Sequence, residues 1–104
     1  MKTVVSARYG TLTRVRLDFQ NLTKGQKIAF YRDDLDEVSI FTQSKNNKNY
    51  QIITNRDGKW IDNGEVSQTF VKVAMEVSNH NYDGEDVGYY FLVDYNTTEI
   101  ENLV

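Results

Sequence analysis

The sequence predicts an all-β fold: a small antiparallel sandwich or barrel of seven to eight short strands, with at most one helix, possible at 64–78. Three observations lead there. Proline is absent from the 104 residues, while Val, Ile, Thr, Tyr and Phe recur along the chain. Residues 14–20 alternate, with Val15, Leu17 and Phe19 on one face and Arg14, Arg16 and Asp18 on the other. Asp57-Gly58 stands between two apolar runs, a hairpin signal because both turn positions require positive φ.

The elements follow in order. Residues 3–9 read as a strand that turns at residues 10–13 into the alternating strand 14–20. A Thr-Lys-Gly loop leads to a third strand at 26–32. The acidic run 33–37 is a turn, and 38–43 is a fourth strand. The polar stretch 44–49 has no apolar side chain to pack and is a loop. Strands follow at 50–55 and 59–61 around Asp57-Gly58, and Asn63-Gly64 is expected to turn the chain again. Residues 66–78 admit two readings. A helix would align Val66, Phe70, Val73 and Val77; a strand would align Val71, Val73, Met75 and Val77. The density of β-branched residues favours the strand. Residues 88–95 are apolar on both faces, as a central strand would be, and a short acidic tail ends the sequence. Without a repeat or a linker, residues 1–104 are expected to form a single domain.

Composition narrows the function classes. Without cysteine there is no disulfide, thiolate metal site or thiol nucleophile. No stretch reaches membrane-spanning length, and the opening residues lack the apolar run of a signal peptide, so the expected location is cytoplasmic and no membrane partner is expected. The net charge of −3 hides an asymmetry. Residues 1–32 carry seven basic groups against Asp18 alone, a net +6. Residues 33–104 carry five basic and fourteen acidic groups, a net −9, and no Lys or Arg follows Lys72. Two surfaces of opposite sign, or neutralisation across neighbouring strands, would each account for it.

Candidate chemistry is sparse. Asn79, Asn81, Asp83 and Gly84 match the opening of an EF-hand calcium loop, but Tyr90 stands where the bidentate Glu is needed. The expectation is a strand connection with Asp83, Glu85 and Asp86 solvated at its tip, and no metal. His80, the single histidine, lacks an evident nucleophile beside it. Asp33, Asp34, Asp36 and Glu37 could pair as acid and base, yet carboxylates clustered in a turn are more often solvated. No phosphate-cradling glycine loop is present. The expectation is a protein that is not an enzyme and needs no cofactor.

Two binding readings remain. The first is a non-enzymatic module acting by protein–protein contact, self-association included. Its acidic residues Asp83, Glu85 and Asp86 would steer a partner, and Trp60, Tyr82 and Tyr95 would anchor it. A phage or mobile-element accessory protein, such as an inhibitor of a host factor, would suit a chain of this kind. The alternative is an oligonucleotide-binding fold that grips single-stranded nucleic acid. Arg8, Arg14, Arg16 and Lys27 would meet phosphates on one sheet face, with Tyr31 for base stacking.

Overall fold

The computed structural model describes residues 3–23, 25–43, 48–83 and 90–92, with 81–83 and 90–92 described by backbone alone. The described regular structure is mostly strand, with one α-helix. β1 (Thr3–Ser6) and β2 (Gly10–Thr13) form an antiparallel hairpin in the register Thr3↔Thr13 to Ser6↔Gly10. A second antiparallel sheet holds β3 (Lys27–Arg32), β4 (Glu37–Gln43), β5 (Tyr50–Arg56), β6 (Lys59–Val66) and β7 (Tyr90–Leu92). Its order is β6-β5-β4-β3-β7. The helix α1 (Gln68–Asp83) leads from β6, at one edge, toward β7, at the other. The expectation of a mostly strand protein with one helix holds. A single sandwich or barrel of seven to eight strands is not confirmed, because the described strands divide into this sheet and a separate hairpin.

The sheet is covered on both faces, and the pleat sorts its residues. Ala29, Tyr31, Val38 and Ile40 pack with Tyr9 and Leu12 of the hairpin region, flanked by Val4, Ile53 and Trp60. On the opposite face Ile28, Phe30, Phe41, Tyr50 and Ile52 pack with Val71, Ala74 and Met75 of α1, and Val15, Leu17, Phe19, Leu22 and Val66 close the margin. The rings of Phe30 and Phe41 lie 4.5 Å apart at its centre. Burial on both sides explains why β3 is apolar at consecutive positions, Ile28 to Tyr31. The Asp57-Gly58 hairpin forms as expected, with φ of 53° and 81° at the two turn residues.

Five local expectations are corrected. Residues 10–13, expected as a turn after a strand at 3–9, form β2, and the turn falls at residues 7–9. Residues 15–20 keep their burial alternation, with Val15, Leu17 and Phe19 half-buried and Arg16 and Asp18 exposed, but they do not form a strand, and Arg14 is buried. Asp18 is extended, and the chain then enters a short 3-10 turn at Phe19–Asn21. A period of two reports an extended chain lying over a core, and a ladder needs a neighbour as well. Here the neighbour is a side chain. The Asn79 carboxamide donates to Leu17 O at 2.7 Å and accepts from Leu17 N at 3.3 Å.

Asn63-Gly64 does not turn the chain. Both residues lie inside β6, at a register shift opposite Gln51 to Ile53, with Gly64 at φ 84° and its N–H donating to Asp62 Oδ1. This is a β-bulge, the other common use of a positive-φ glycine next to Asn. Residues 68–83, favoured as strand over most of their length, are helical. Ser67 caps the helix by accepting the Phe70 N–H at 3.1 Å on its Oγ. The buried stripe is Val71, Ala74, Met75 and Ser78, an i, i+3, i+4, i+7 set. Finally, residues 79–83 belong to this helix and are not a hairpin tip.

Candidate functional site

The acidic turn at one end of the sheet is a structural node. Asp36 sits in the left-handed region at φ 48° and turns its carboxylate toward the β1–β2 turn. Ser6 Oγ donates to its Oδ1, Tyr31 Oη donates to the same oxygen at 2.7 Å, and Arg8 N–H donates to Oδ2 at 3.0 Å. Burial pushes this carboxyl up, but the bonds from Ser6, Tyr31 and Arg8 outweigh it and hold the group below its ordinary value. Burial, together with the bond to Asp36, pushes the Tyr31 hydroxyl up to about 12. Ser6 Oγ also accepts the N–H groups of Arg8 and Tyr9, so its one donor and two acceptor positions are filled. A hydroxyl used in this way is a pivot and not a nucleophile. The remaining carboxylates are also engaged. Arg32 holds Asp34 through two bonds of 3.0 and 2.6 Å, and Arg56 holds Glu37 at 3.0 Å. Two of the turn's carboxylates, Asp34 and Glu37, are thus paired with arginines, and Asp36 is engaged by hydroxyl and backbone donors.

The nucleic-acid platform does not assemble on one face. Tyr31 is buried beneath Tyr9, with the rings edge to face at 6.5 Å, and cannot stack on a base. Arg14 is buried, against the expectation that it would share an exposed face with Arg16. Arg8 lies at the Asp36 end and reaches Asp57 at 3.5 Å, while Lys27 lies at the far end of β3 opposite Thr42. The residues expected to contact protein fare differently. Trp60 is half-buried on β6 against the hairpin-side core, with its indole Nε1 enclosed and unbonded among the described residues. Tyr82 and Asp83 are placed only as backbone at the end of α1. Glu85, Asp86 and Tyr95 lie outside the described residues. Of the candidate calcium ligands, Asn79 spends its side chain on Leu17. Among the described residues no group of three His, Cys, Asp or Glu could hold a metal ion.

The helix side of the sheet has open surface that sequence reasoning did not assign. A cleft of about 270 Å³ lies between residues 17–20 and α1, lined by Leu17, Phe19, Lys72, Met75, Glu76 and Asn79 among others. It adjoins, at Phe19 and Gln20, a second cleft of about 450 Å³ lined by Phe19, Gln20, Leu22, Gln43, Tyr50 and Gln68. Burial raises the Tyr50 hydroxyl above its ordinary value. Elsewhere on α1, Phe70 and Val73 are 43 and 51 % exposed. Together with half-buried Val77 they form a second apolar stripe, on a different face from the buried one. These are residues that the helical reading of 66–78 aligned as a core face. The signal that separates the faces is small: Ala74 and Ser78 mark the side that approaches the sheet closely.

Among the described residues no helix is long and apolar enough to cross a membrane. Comparison of the chain with protein-family models, with curated proteins and with solved structures finds no match, so the reading of function rests on the geometry of this chain alone.

Proposed function

We propose that this protein is a non-enzymatic binding module that acts by protein–protein contact, self-association included. The observation that carries the reading is the exposed apolar stripe of α1, where Phe70 and Val73 face solvent on a helix that already buries a separate apolar face. Two apolar stripes on one helix exceed what a single sheet face can cover, and aromatic and aliphatic groups held on a rigid element are typical interface anchors. The hydroxyl and carboxylate groups of the Asp36 node are spent on internal bonds, which favours binding over catalysis. A role as a phage or mobile-element accessory protein, or as an inhibitor of a host factor, is one setting for such a module.

The test is a paired comparison of the wild-type chain with Phe70→Asp/Val73→Asp. Sedimentation velocity reads self-association, and affinity capture from the source cell, with and without nuclease, reads partners. Loss of capture or of the oligomer in the variant, with an unchanged circular dichroism spectrum, supports the reading. Capture that survives the substitutions and disappears with nuclease would replace it with single-stranded nucleic-acid binding.

A further inference from the structure

We infer that the adjoining clefts between residues 17–22 and α1 form a binding site for an extended peptide segment of a partner protein, one carrying an apolar side chain and flanked by a basic residue. The inference rests on the protein-contact reading and gives it a second, separate surface. Its starting point is Gln43. This side chain is only 8 % exposed and lines the larger cleft, and among the described residues its carboxamide makes no hydrogen bond. The rest of the side chain is packed, but the carboxamide atoms are not enclosed, so the amide opens into the cleft, where water or a ligand group can meet it. Gln20 and Gln68 line the same cleft with carboxamides that are likewise unbonded among the described residues.

The chemistry of the lining selects the ligand. A carboxamide offers a donor and an acceptor side by side, the complement of a peptide unit. The molecule already uses this match once, where Asn79 holds both the N–H and the C=O of Leu17. Gln20, Gln43 and Gln68 offer the same groups to an incoming chain, while Phe19, Leu22 and Tyr50 offer apolar surface for a side chain. From Gln68 to Asn79 the helix rises roughly 16 Å, enough for about five extended residues. The rim carries Asp18 and Glu76 against Lys72, a small negative excess. That balance suits a peptide with a basic flank and disfavours phosphate, which argues against a nucleotide despite the liking of carboxamides for bases.

The experiment pans a displayed library of random linear heptapeptides on the whole chain, with selection against an unrelated β-domain. Enriched peptides are synthesised and titrated into labelled protein. The expected result is enrichment of peptides with one large apolar residue and a Lys or Arg. Binding should move the side-chain amide resonances of Gln20, Gln43 and Gln68, leave those of Gln26 in place, and weaken roughly tenfold in Gln20→Ala/Gln68→Ala. Gln26→Ala, a surface amide engaged with Thr23, is the folding and specificity control. No enrichment, or binding unaffected by the double substitution, would overturn the site. Peptides that instead move Phe70 and Val73 would overturn the cleft while leaving the protein-contact reading intact. Cleft binding that persists when Phe70→Asp/Val73→Asp has lost no partner would leave the cleft standing and remove the stripe as its companion.

Discussion

The two faces of the central sheet are built on different physics. The hairpin side is held by directed polar bonds: one carboxylate, Asp36, gathers Ser6, Tyr31 and the Arg8 backbone, and joins the hairpin to the β3–β4 turn. The helix side is held by apolar burial, with Val71, Ala74 and Met75 laid on Ile28, Phe30 and Phe41. Directed bonds saturate, so the Asp36 node has little left to offer a ligand. Apolar packing does not constrain the polar groups at its margin, and there Gln20, Gln43 and Gln68 remain open. Binding capacity is therefore expected where the packing is least specific, beside the helix, and rigidity where the polar network is complete.

The largest effect should follow from a break in the helix-side core. Phe30 is fully buried against Phe41, and Phe30→Ala removes a ring that the sheet and helix cannot both close over. A loss of roughly 3–5 kcal/mol is expected, read by denaturant titration. A loss under half of that would mean that the helix collapses into the cavity and that the helix-side packing is soft.

Asp36→Asn tests the other face. Asn tolerates the left-handed backbone at this position, so the change reports on charge and bonding. One oxygen of the carboxylate becomes a donor, which faces either the Arg8 N–H or the hydroxyls of Ser6 and Tyr31. The expected loss is about 1.5–3 kcal/mol, the range for hydrogen bonds to a charged group. Hydrogen exchange should accelerate in β1 and β2 before it does in α1. In the wild type the same node gives a two-sided pH response. The folded value of Asp36 is lowered, so its contribution is present above the unfolded value of about 3.9 and is lost as pH falls from there through the folded value. The folded value of Tyr31 is raised to about 12, so its contribution is present below the unfolded value of about 10 and is lost as pH rises between them. Hairpin amides followed across pH should loosen at both ends of this window, and a hairpin that stays protected at either end would contradict the node.

The hairpin side also carries a cost, and its removal should raise stability. Asn55 is 1 % exposed, and neither its Oδ1 nor its Nδ2 has a hydrogen-bond partner among the described residues. It stands opposite Trp60, whose Nε1 is in the same position. Asn55→Val replaces an unsatisfied amide with a β-branched apolar group suited to a strand. A gain of about 1–2 kcal/mol in denaturant titration is expected. A loss instead would show that the amide is satisfied in solution and that the two faces are more alike in polarity than their bonds suggest.

Much of this contrast was legible in the sequence, and the parts that were not have physical causes. The strands β3, β4 and β5 and the Asp57-Gly58 turn could be read because local pattern and tertiary role agree there. The same holds for the buried positions Ile28, Phe30, Ile40 and Ile52. Of residues 88–95, read as a central strand, Phe91 is described by backbone alone and Val93 lies outside the described residues. Residues 66–78 look like a strand because Val71, Val73 and Val77 favour one locally, while the uncovered face of the sheet and the Ser67 cap favour the helix that forms. The pairing of Asp36 with Ser6 spans 30 residues and has no local signature. The cleft amides were invisible for a related reason: glutamine is ordinary at any surface, and only the fold brings Gln20, Gln43 and Gln68 together.

The smallest expected effect concerns the seam between core and cleft. Asn79 holds Leu17 by a two-point bond that stands in for a strand neighbour. Leu17 is half-buried, so water can replace part of what Asn79 supplies, and Asn79→Ala should lose only about 1 kcal/mol. Its local consequence should be larger than that figure implies. Residues 15–18 have no ladder to fall back on, so the Leu17 amide should exchange with solvent much faster while amides of β4 and β5 keep their protection. Asn79→Asp gives the sharper result. The carboxylate can still accept the Leu17 N–H, but it loses the donor and sets a negative charge against the Leu17 carbonyl. Asp is therefore expected to be worse than Ala at neutral pH and to recover toward it in acid, as the carboxyl regains a proton to donate. Equal behaviour of the two variants would mean that the seam is held by Leu17 packing alone. In that case an amide clasp on a peptide unit would lose its precedent within this molecule.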